Sequence, residues 1–523
     1  MQPTMEDPTP PPPPVLIPLP SGLAISGILL FTQRLASVLA EHDGRVAVLL
    51  QRPEPGTREL AVDFGPRVEI IDLRSVAGPA EPGYDPWQTV RACRDAVTTM
   101  AQAEPVALLL GQHESVFAAG AALAQTLPEL VRPVGIAHSD HAYDLTLLGR
   151  YEPMLHGFIA VSEHLKRRLK QTLPQHRADD IAQIAYGVPI PDRIADRQPL
   201  SGRPLRILYN GRFEHRQKRV LALPMLAGEL SRRGIEHEMT LVGDGPARDE
   251  LERACSTIPS VTVRPAAEPK DVAKLLDAHD AAVLPSRYEG LSVAMLEALA
   301  HGCIPVCAPS ESGTAEAITP GITGEIARVA PDQDERAAAM ALADAIDALR
   351  RRDLIEMARR CRREAEARFS LQAHTRAWCE ALTRISGQPP RPWPIDRACA
   401  LAGDAAAEQQ FPRARLAALL EGFAGQPIAV HGSGRFAQRM ADLLCEATIA
   451  AVADDDRQRH GARFFGCTIT GPEAVGKVGV RDVIILSAMH ESDIWARRSV
   501  YESQGITVHR LHAADEPALP SPA

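Results

Sequence analysis

The 523-residue sequence has no apolar run approaching the roughly 18–20 residues that cross a bilayer as a helix. Its first twenty residues, MQPTMEDPTPPPPPVLIPLP, do not join a basic segment to an apolar stretch, so no secretory signal is read there and the chain is expected to be cytoplasmic. Basic charge is not in excess. Lys and Arg number 57 against 66 Asp and Glu, a net charge of −9, which argues against a dedicated nucleic-acid binder. The nine cysteines are odd in number and contain no Cys-x-x-Cys pair. Cys303 and Cys307 lie four apart, but Pro305 between them fits an apolar strand better than a metal clip, so buried free thiols are expected. With 45% hydrophobic and 24% charged residues the composition is that of a globular protein, long enough for about three domains.

The most informative stretch is Ser286–Cys307, SRYEGLSVAMLEALAHGCIPVC. An apolar run, 281–285, enters a polar turn at Ser286–Gly290, and a helix-forming segment follows from Val293, so it reads as strand, loop, helix. The unpaired N–H groups and positive dipole end of such a helix favour an anion, and Gly290 lets the backbone come close. Glu289 and Glu297 are eight residues apart and face roughly the same side. Carboxylates suit sugar hydroxyls and N–H groups suit phosphate, and a nucleotide sugar presents both.

Residues 1–14 are proline-rich and expected to be disordered. From Val15 the chain alternates strand, glycine loop (Ser21–Gly27), apolar helix and strand, the opening of a doubly wound α/β domain. Ligands gather at the C-terminal ends of parallel strands, which puts His138 and Ser162 at the working edge. His138-Ser139-Asp140-His141 is not a hydrolase triad, because Ser139 lacks the Gly-x-Ser-x-Gly elbow. His138 either contacts a substrate or caps its strand. The basic run His164–Lys170 reads as a solvated helix face, with contact to anionic lipid headgroups as the alternative.

A second α/β domain begins near Leu205 and enters the cationic loop Asn210–Lys218, where Arg212 and Lys218 stand ready to hold a diphosphate; a plain basic surface loop is the other reading. Two such domains in tandem make a central cleft. Helices from about Glu335 to Leu382 carry an arginine-rich face with Glu356/Arg360 and Glu364/Arg368 at ion-pair spacing. A proline-bearing linker, Gln388–Pro394, leads to a third unit. There Ile428–Ala437 gives strand, Gly432-x-Gly434-x-x-Ala437, helix, and Asp454 follows Gly434 by twenty residues, the context of a dinucleotide fingerprint. Only Val483–Ser487 and Ile506–Leu511 read as further clear strands, so this unit looks short: a small Rossmann-like regulatory or packing module is favoured over a working NAD(P) site.

Residues 15–385 resemble the retaining nucleotide-sugar glycosyltransferases of family 4, which have the GT-B fold. The resemblance is carried by Gly211-Arg212 with Lys218, by Val242-Gly243-Asp244-Gly245-Pro246, and by Pro285–Ser292 through Glu297-Ala298 with its Glu, seven residues, Glu signature. It implies that Arg212 and Lys218 hold the donor diphosphate and that the backbone at Gly290, Leu291 and Ser292 completes the cradle. Glu297 would bind the nucleotide ribose, and Glu289 and His138 would contact the transferred sugar. Ser26 and Gly27 would line the cleft. Here Lys218-Arg219 replaces the usual Lys-Gly, and Ser26-Gly27 the usual double glycine. The implied chemistry is transfer with retention by front-face attack. No Asp-x-Asp motif occupies the site, so no metal or other cofactor is expected beyond the UDP- or GDP-sugar donor.

The fold class is thus α/β, with two Rossmann-like domains facing across a cleft plus a third small Rossmann-like domain. The expected boundaries are 15–202 for the acceptor-side domain, 203–370 for the nucleotide-sugar domain and 371–386 for a crossover helix returning to the first domain. A linker and helical segment at 387–425, the small domain at 426–513 and a tail at 514–523 complete the chain. Expected partners are the nucleotide sugar and a saccharide, lipid-linked saccharide or small-molecule acceptor, with peripheral contact at the inner face of a membrane as the basic run's alternative role. The competing functions are a nicotinamide-dependent oxidoreductase built on Gly432, Gly434 and Asp454, and a non-catalytic nucleotide-sugar sensor.

Overall fold

The computed structural model describes residues 11–24, 26–53, 59–78, 84–111, 113–310, 313–330, 332–394, 412–413, 415–423, 425–445, 447–487 and 490–511. Ile25 and Ser312, which belong to the two loops read from the sequence, lie outside that set, as do residues 1–10 and 512–523. The chain divides into two compact units, Met1–Pro394 and Ile395–Ala523.

The first half of the first unit runs β1 (Val15–Leu19), α1 (Gly27–Glu41), β2 (Val46–Leu50), β3 (Val68–Asp72), α2 (Pro86–Met100), β4 (Val106–Leu110), α3 (Glu114–Thr126), β5 (Val131–Ala137), α4 (Ala142–Arg150), β6 (Gly157–Ala160), α5 (Glu163–Thr172) and β7 (Ile181–Gln183). Its strands lie in the order β3-β2-β1-β4-β5-β6-β7 and pair in parallel. The inner strands VLIPL, VAVLL and VALLL are buried along their whole length, as parallel strands covered by helices on both faces must be. The edge strand β3, VEIID, exposes three of its five residues.

The second half repeats the plan: β8 (Leu205–Asn210), α6 (Ala222–Arg232), β9 (His237–Val242), α7 (Arg248–Cys255), β10 (Val261–Arg264), α8 (Pro269–Ala278), β11 (Ala281–Leu284), α9 (Val293–Ala300), β12 (Ile304–Cys307), α10 (Thr314–Ala317), β13 (Glu325–Ile326), α11 (Glu335–Leu349), α12 (Leu354–Arg368) and α13 (Leu371–Ser386). Strand order β10-β9-β8-β11-β12-β13 again switches direction beside the first strand of the half, where ligands bind in such sheets. Helix α13 packs on the first half: the rings of His374 and Trp378 lie 6.0 and 6.1 Å from Phe31 of α1, and Ile385 fills the space beside Gly157. The charged face of α12 is ion-paired, with Arg360–Glu356 at 2.9 Å and Arg368–Glu364 at 2.6 Å. Among the described residues no helix is long and apolar enough to cross a membrane.

The second unit holds β14 (Ile428–His431), β15 (Ile449–Ala453), β16 (Arg463–Phe464), β17 (Cys467–Thr470), β18 (Asp482–Ile485) and β19 (Thr507–His509), in the order β16-β17-β15-β14-β18-β19. All pairs but β16/β17 are parallel. Helical residues 415–422 contribute Leu416 and Leu419 to its core.

Three expectations need correction. Residues 11–14, expected to be disordered, are packed in place: Pro12 and Pro13 are buried, and the Pro14 carbonyl accepts from the Ala107 N–H at 2.8 Å, because an extended proline still offers an acceptor to a neighbouring strand. Residues 387–394 are not a free linker. Trp393 is buried 5.4 Å from the Tyr151 ring and the Gln388 carbonyl accepts from Arg132, so aromatic burial overrides the proline content. The third sheet is not short, since Cys467–Thr470, with a single buried side chain, is a strand that carries no clear sequence period.

Candidate functional site

The cleft of the first unit is lined by the C-terminal ends of both sheets. On one wall β5 ends at Ala137 and delivers His138, which is 7% exposed. Its Nδ1 lies 2.9 Å from the Tyr186 hydroxyl, and the Phe31 ring meets it edge-on at 5.1 Å. Burial lowers its pKa to about 3, so the imidazole is neutral. The rest of the turn is tied into the domain. Ser139 donates to Asp144 at 2.5 Å, and Asp140 holds His164 at 2.6 Å and Arg168 at 3.0 Å. Ser26 caps α1 by accepting from the Leu29 N–H at 3.1 Å, which explains a serine where the resemblance expects glycine.

On the other wall, Ser292 caps α9 by accepting from the Met295 N–H. The loop after β8 is shaped by Glu214, whose carboxylate accepts from the backbone N–H groups of Arg216, Gln217 and Lys218. Lys218 Nζ then reaches Glu289 Oε1 at 2.6 Å, with the two side chains 22% and 10% exposed. Arg219 takes a left-handed φ of 51°, so an arginine sits in the backbone region that the usual glycine of this pair adopts without strain. Arg212 is exposed and, among the described residues, in no side-chain ion pair.

Among the described residues, several contacts join the walls. A Cβ on Gly290 would lie 1.8 Å from the His138 carbonyl oxygen, so only glycine permits this approach. The Glu316 carboxylate accepts from the N–H groups of Glu163 and His164 at 2.8 and 2.7 Å, in the first turn of α5. Arg34 of α1 forms an ion pair with Glu297 of α9. The site residues His138, Gly290, Lys218 and Glu289 are therefore gathered at one place, with Gly27 3.6 Å from the Val293 side chain by the same measure. Glu297 is held by a residue of the opposite wall. Arg34, Tyr186, Glu214 and Glu316 were not singled out from the sequence. Only Glu214 has a local signal, an acid preceding three backbone N–H groups of a cationic loop.

The fingerprint of the second unit is arranged differently. Gly432 has φ 113°, and a Cβ there would meet the Leu486 carbonyl oxygen at 2.6 Å, so this glycine is needed for strand packing. Asp454 Oδ2 accepts from the Ser433 N–H and hydroxyl, and Oδ1 from the Asp456 N–H, so both oxygens are engaged. Arg459 lies 3.4 Å from the Ser433 hydroxyl, Ala437 is buried in the core, and the helix after Gly434 is five residues long. A dinucleotide needs a free ribose-binding carboxylate and an extended helix start. These residues do not fit one.

Residues 204–349 match a family model described as "Glycosyl transferases group 1". Over 134 residues the chain is 33% identical to the alpha-D-kanosaminyltransferase of Streptomyces kanamyceticus, a match spanning 25% of this chain and 34% of that relative's length. Among solved structures, the sucrose-phosphate synthase of Thermosynechococcus elongatus superposes with a TM-score of 0.56 at 17% identity, covering 71% of this chain and 99% of that one. Anabaena HepE in complex with UDP-glucose gives 0.54 at 16% identity, with the same coverage. The first unit has the GT-B fold, and the chain adds a further α/β sheet domain to it.

Proposed function

We propose that this chain is a retaining glycosyltransferase that moves a sugar from a UDP- or GDP-sugar to an acceptor hydroxyl. The observation that carries the reading is the meeting, across one cleft, of the Lys218–Glu289 pair and the Gly290 backbone, in the turn before α9, with His138. The match to the group 1 glycosyl transferases and the GT-B fold support it.

In this reading the donor diphosphate displaces Glu289 from Lys218, taking the Lys218 ammonium and the exposed Arg212 guanidinium, while the first N–H groups of α9 approach its oxygens. Glu297 binds the ribose hydroxyls. Neutral His138 and Glu289 contact the transferred sugar. The bond from C1 to the diphosphate oxygen breaks as the acceptor oxygen attacks the same face, and the acceptor's proton passes to the departing diphosphate. Fixed cations and N–H groups stabilise the charge that develops on it. Saccharides, lipid-linked saccharides and small-molecule alcohols are the acceptor classes, and the kanosaminyl relative directs the donor panel to amino sugars as well as hexoses. The reading places the chain in the cytoplasm.

Incubating the full chain with UDP-, GDP- and ADP-sugars and following donor cleavage by mass spectrometry tests this. One donor is expected to be cleaved, and cleavage is expected to slow by about 10²–10³-fold in Lys218→Ala. No cleavage of any donor, or equal cleavage by the variant, would count against the reading.

A further inference from the structure

We propose that Arg34 is a positioning residue, which holds the Glu297 carboxylate from the opposite wall of the cleft and makes its orientation conditional on closure of the two halves.

The pair is nearly enclosed, with side chains 9% and 12% exposed. Arg34 also lies at the hinge, its Nη1 3.5 Å from the Gly187 carbonyl oxygen. Gly187 precedes Val188, where the chain leaves the first half, and the Val188 N–H donates to the Phe369 carbonyl at 2.8 Å, where it returns. One guanidinium therefore touches α1, the hinge and α9. Opening the cleft separates it from Glu297 and hydrates both ions. Closing it desolvates them together, which is tolerable only while they remain paired. Arg34 Nη2 engages Glu297 Oε1 while Nη1 is anchored on the Gly187 carbonyl, so the carboxylate is held through one oxygen by a guanidinium fixed at its other end, and among the described residues Oε2 is left for a ligand hydroxyl. Nothing local signals this, because Arg34 reads as one of several polar residues in a mostly apolar helix.

The contact stands on the geometry alone, but its role toward donor ribose rests on the sugar-transfer reading. The test has two arms. Without donor, hydrogen exchange at the amides of α9 and at Gly187–Val188 is compared between wild type and Arg34→Met. A charge-assisted bond of this kind implies exchange about tenfold faster in the variant. Unchanged protection overturns the clasp whatever the donor panel gives. With donor, Arg34→Met is expected to raise KM about tenfold with kcat within about twofold, Arg34→Lys to recover part of the loss, and Arg34→Met in Glu297→Gln to add less than about twofold. Multiplying effects or an unchanged KM overturn the positioning role. If Arg34→Met does not fold, Arg34→Lys carries both arms with smaller shifts of the same sign. If exchange rises but wild type cleaves no donor, the sugar-transfer reading fails and the clasp survives it.

Discussion

The turns at Gly290 and Gly432 share one local plan, a buried parallel strand, a glycine turn, a helix and a nearby carboxylate, yet they differ in what the carboxylate faces. At Gly290 the helix is eight residues long and capped, and Glu289 meets Lys218 from another loop of the same half. At Gly432 the helix is five residues long, and Asp454 folds back on the Ser433 backbone. The first arrangement leaves charged groups paired with partners that a ligand can displace. The second closes its polar groups on themselves, stabilising a turn. Spacing alone does not make a binding site; what satisfies the carboxylate does.

Removing the cation that faces Glu289 should break the comparison most severely. Lys218→Ala is expected to lower kcat/KM for the cleaved donor by about 10²–10³-fold, the size of effect seen when one stabilising charge is lost at a reacting centre. Initial rates at several donor concentrations measure it. Gly290→Ala should follow at about 10²-fold, because its Cβ, 1.8 Å from the His138 carbonyl, forces the walls apart by about an ångström. Gly432→Ala should leave turnover unchanged and destabilise only the second unit by about 1–3 kcal/mol, read as a lower melting transition of that unit. Asp454→Asn should act there too, by about 1–2 kcal/mol, again with no effect on kcat/KM.

The strands, the tandem α/β plan and the residues of the Gly290 turn were legible in the sequence because they are local: continuous apolar runs, turn residues and an eight-residue carboxylate spacing. Lys218 was legible as a cation in a loop between a strand and a helix. The partners that complete the site were not. Arg34, Tyr186 and Glu316 are placed by contacts between residues 48 or more positions apart, and no periodicity encodes which wall a helix residue will face after closure. The same reason hid the burial of Pro12, Pro13 and Trp393, whose composition signals a loop while their packing belongs to a core. At Asp454 the spacing was legible and its consequence was not, since the Ser433 hydroxyl captures the carboxylate.

Acid separates the two units by a smaller effect. His138, His156 and His374 are buried, with pKa values lowered from 6.5 to about 3, 3 and 4. The unfolded chain binds their protons first as pH falls, so the stability of the first unit is full above about pH 6.5 and declines toward pH 4. In the second unit Asp455 is held below the ordinary carboxylate value, despite burial, by His431 and Arg497, so its contribution is full above the ordinary carboxylate pKa of 3.8 and is lost only below it, as pH falls toward the low folded value. Melting at pH 7 and pH 5 should lower the first unit's transition more, and His138→Gln should shallow that dependence by about one proton.

The central claim, that the cleft between the halves of the first unit transfers sugar with retention, is tested most directly by proton NMR of the first product formed by the full chain. The coupling constant of its anomeric proton, read before the product can re-equilibrate, is predicted to match the configuration of the donor, with product forming about 10²–10³-fold more slowly from Lys218→Ala. An inverted anomeric centre, or product formed as fast by that variant, would contradict it.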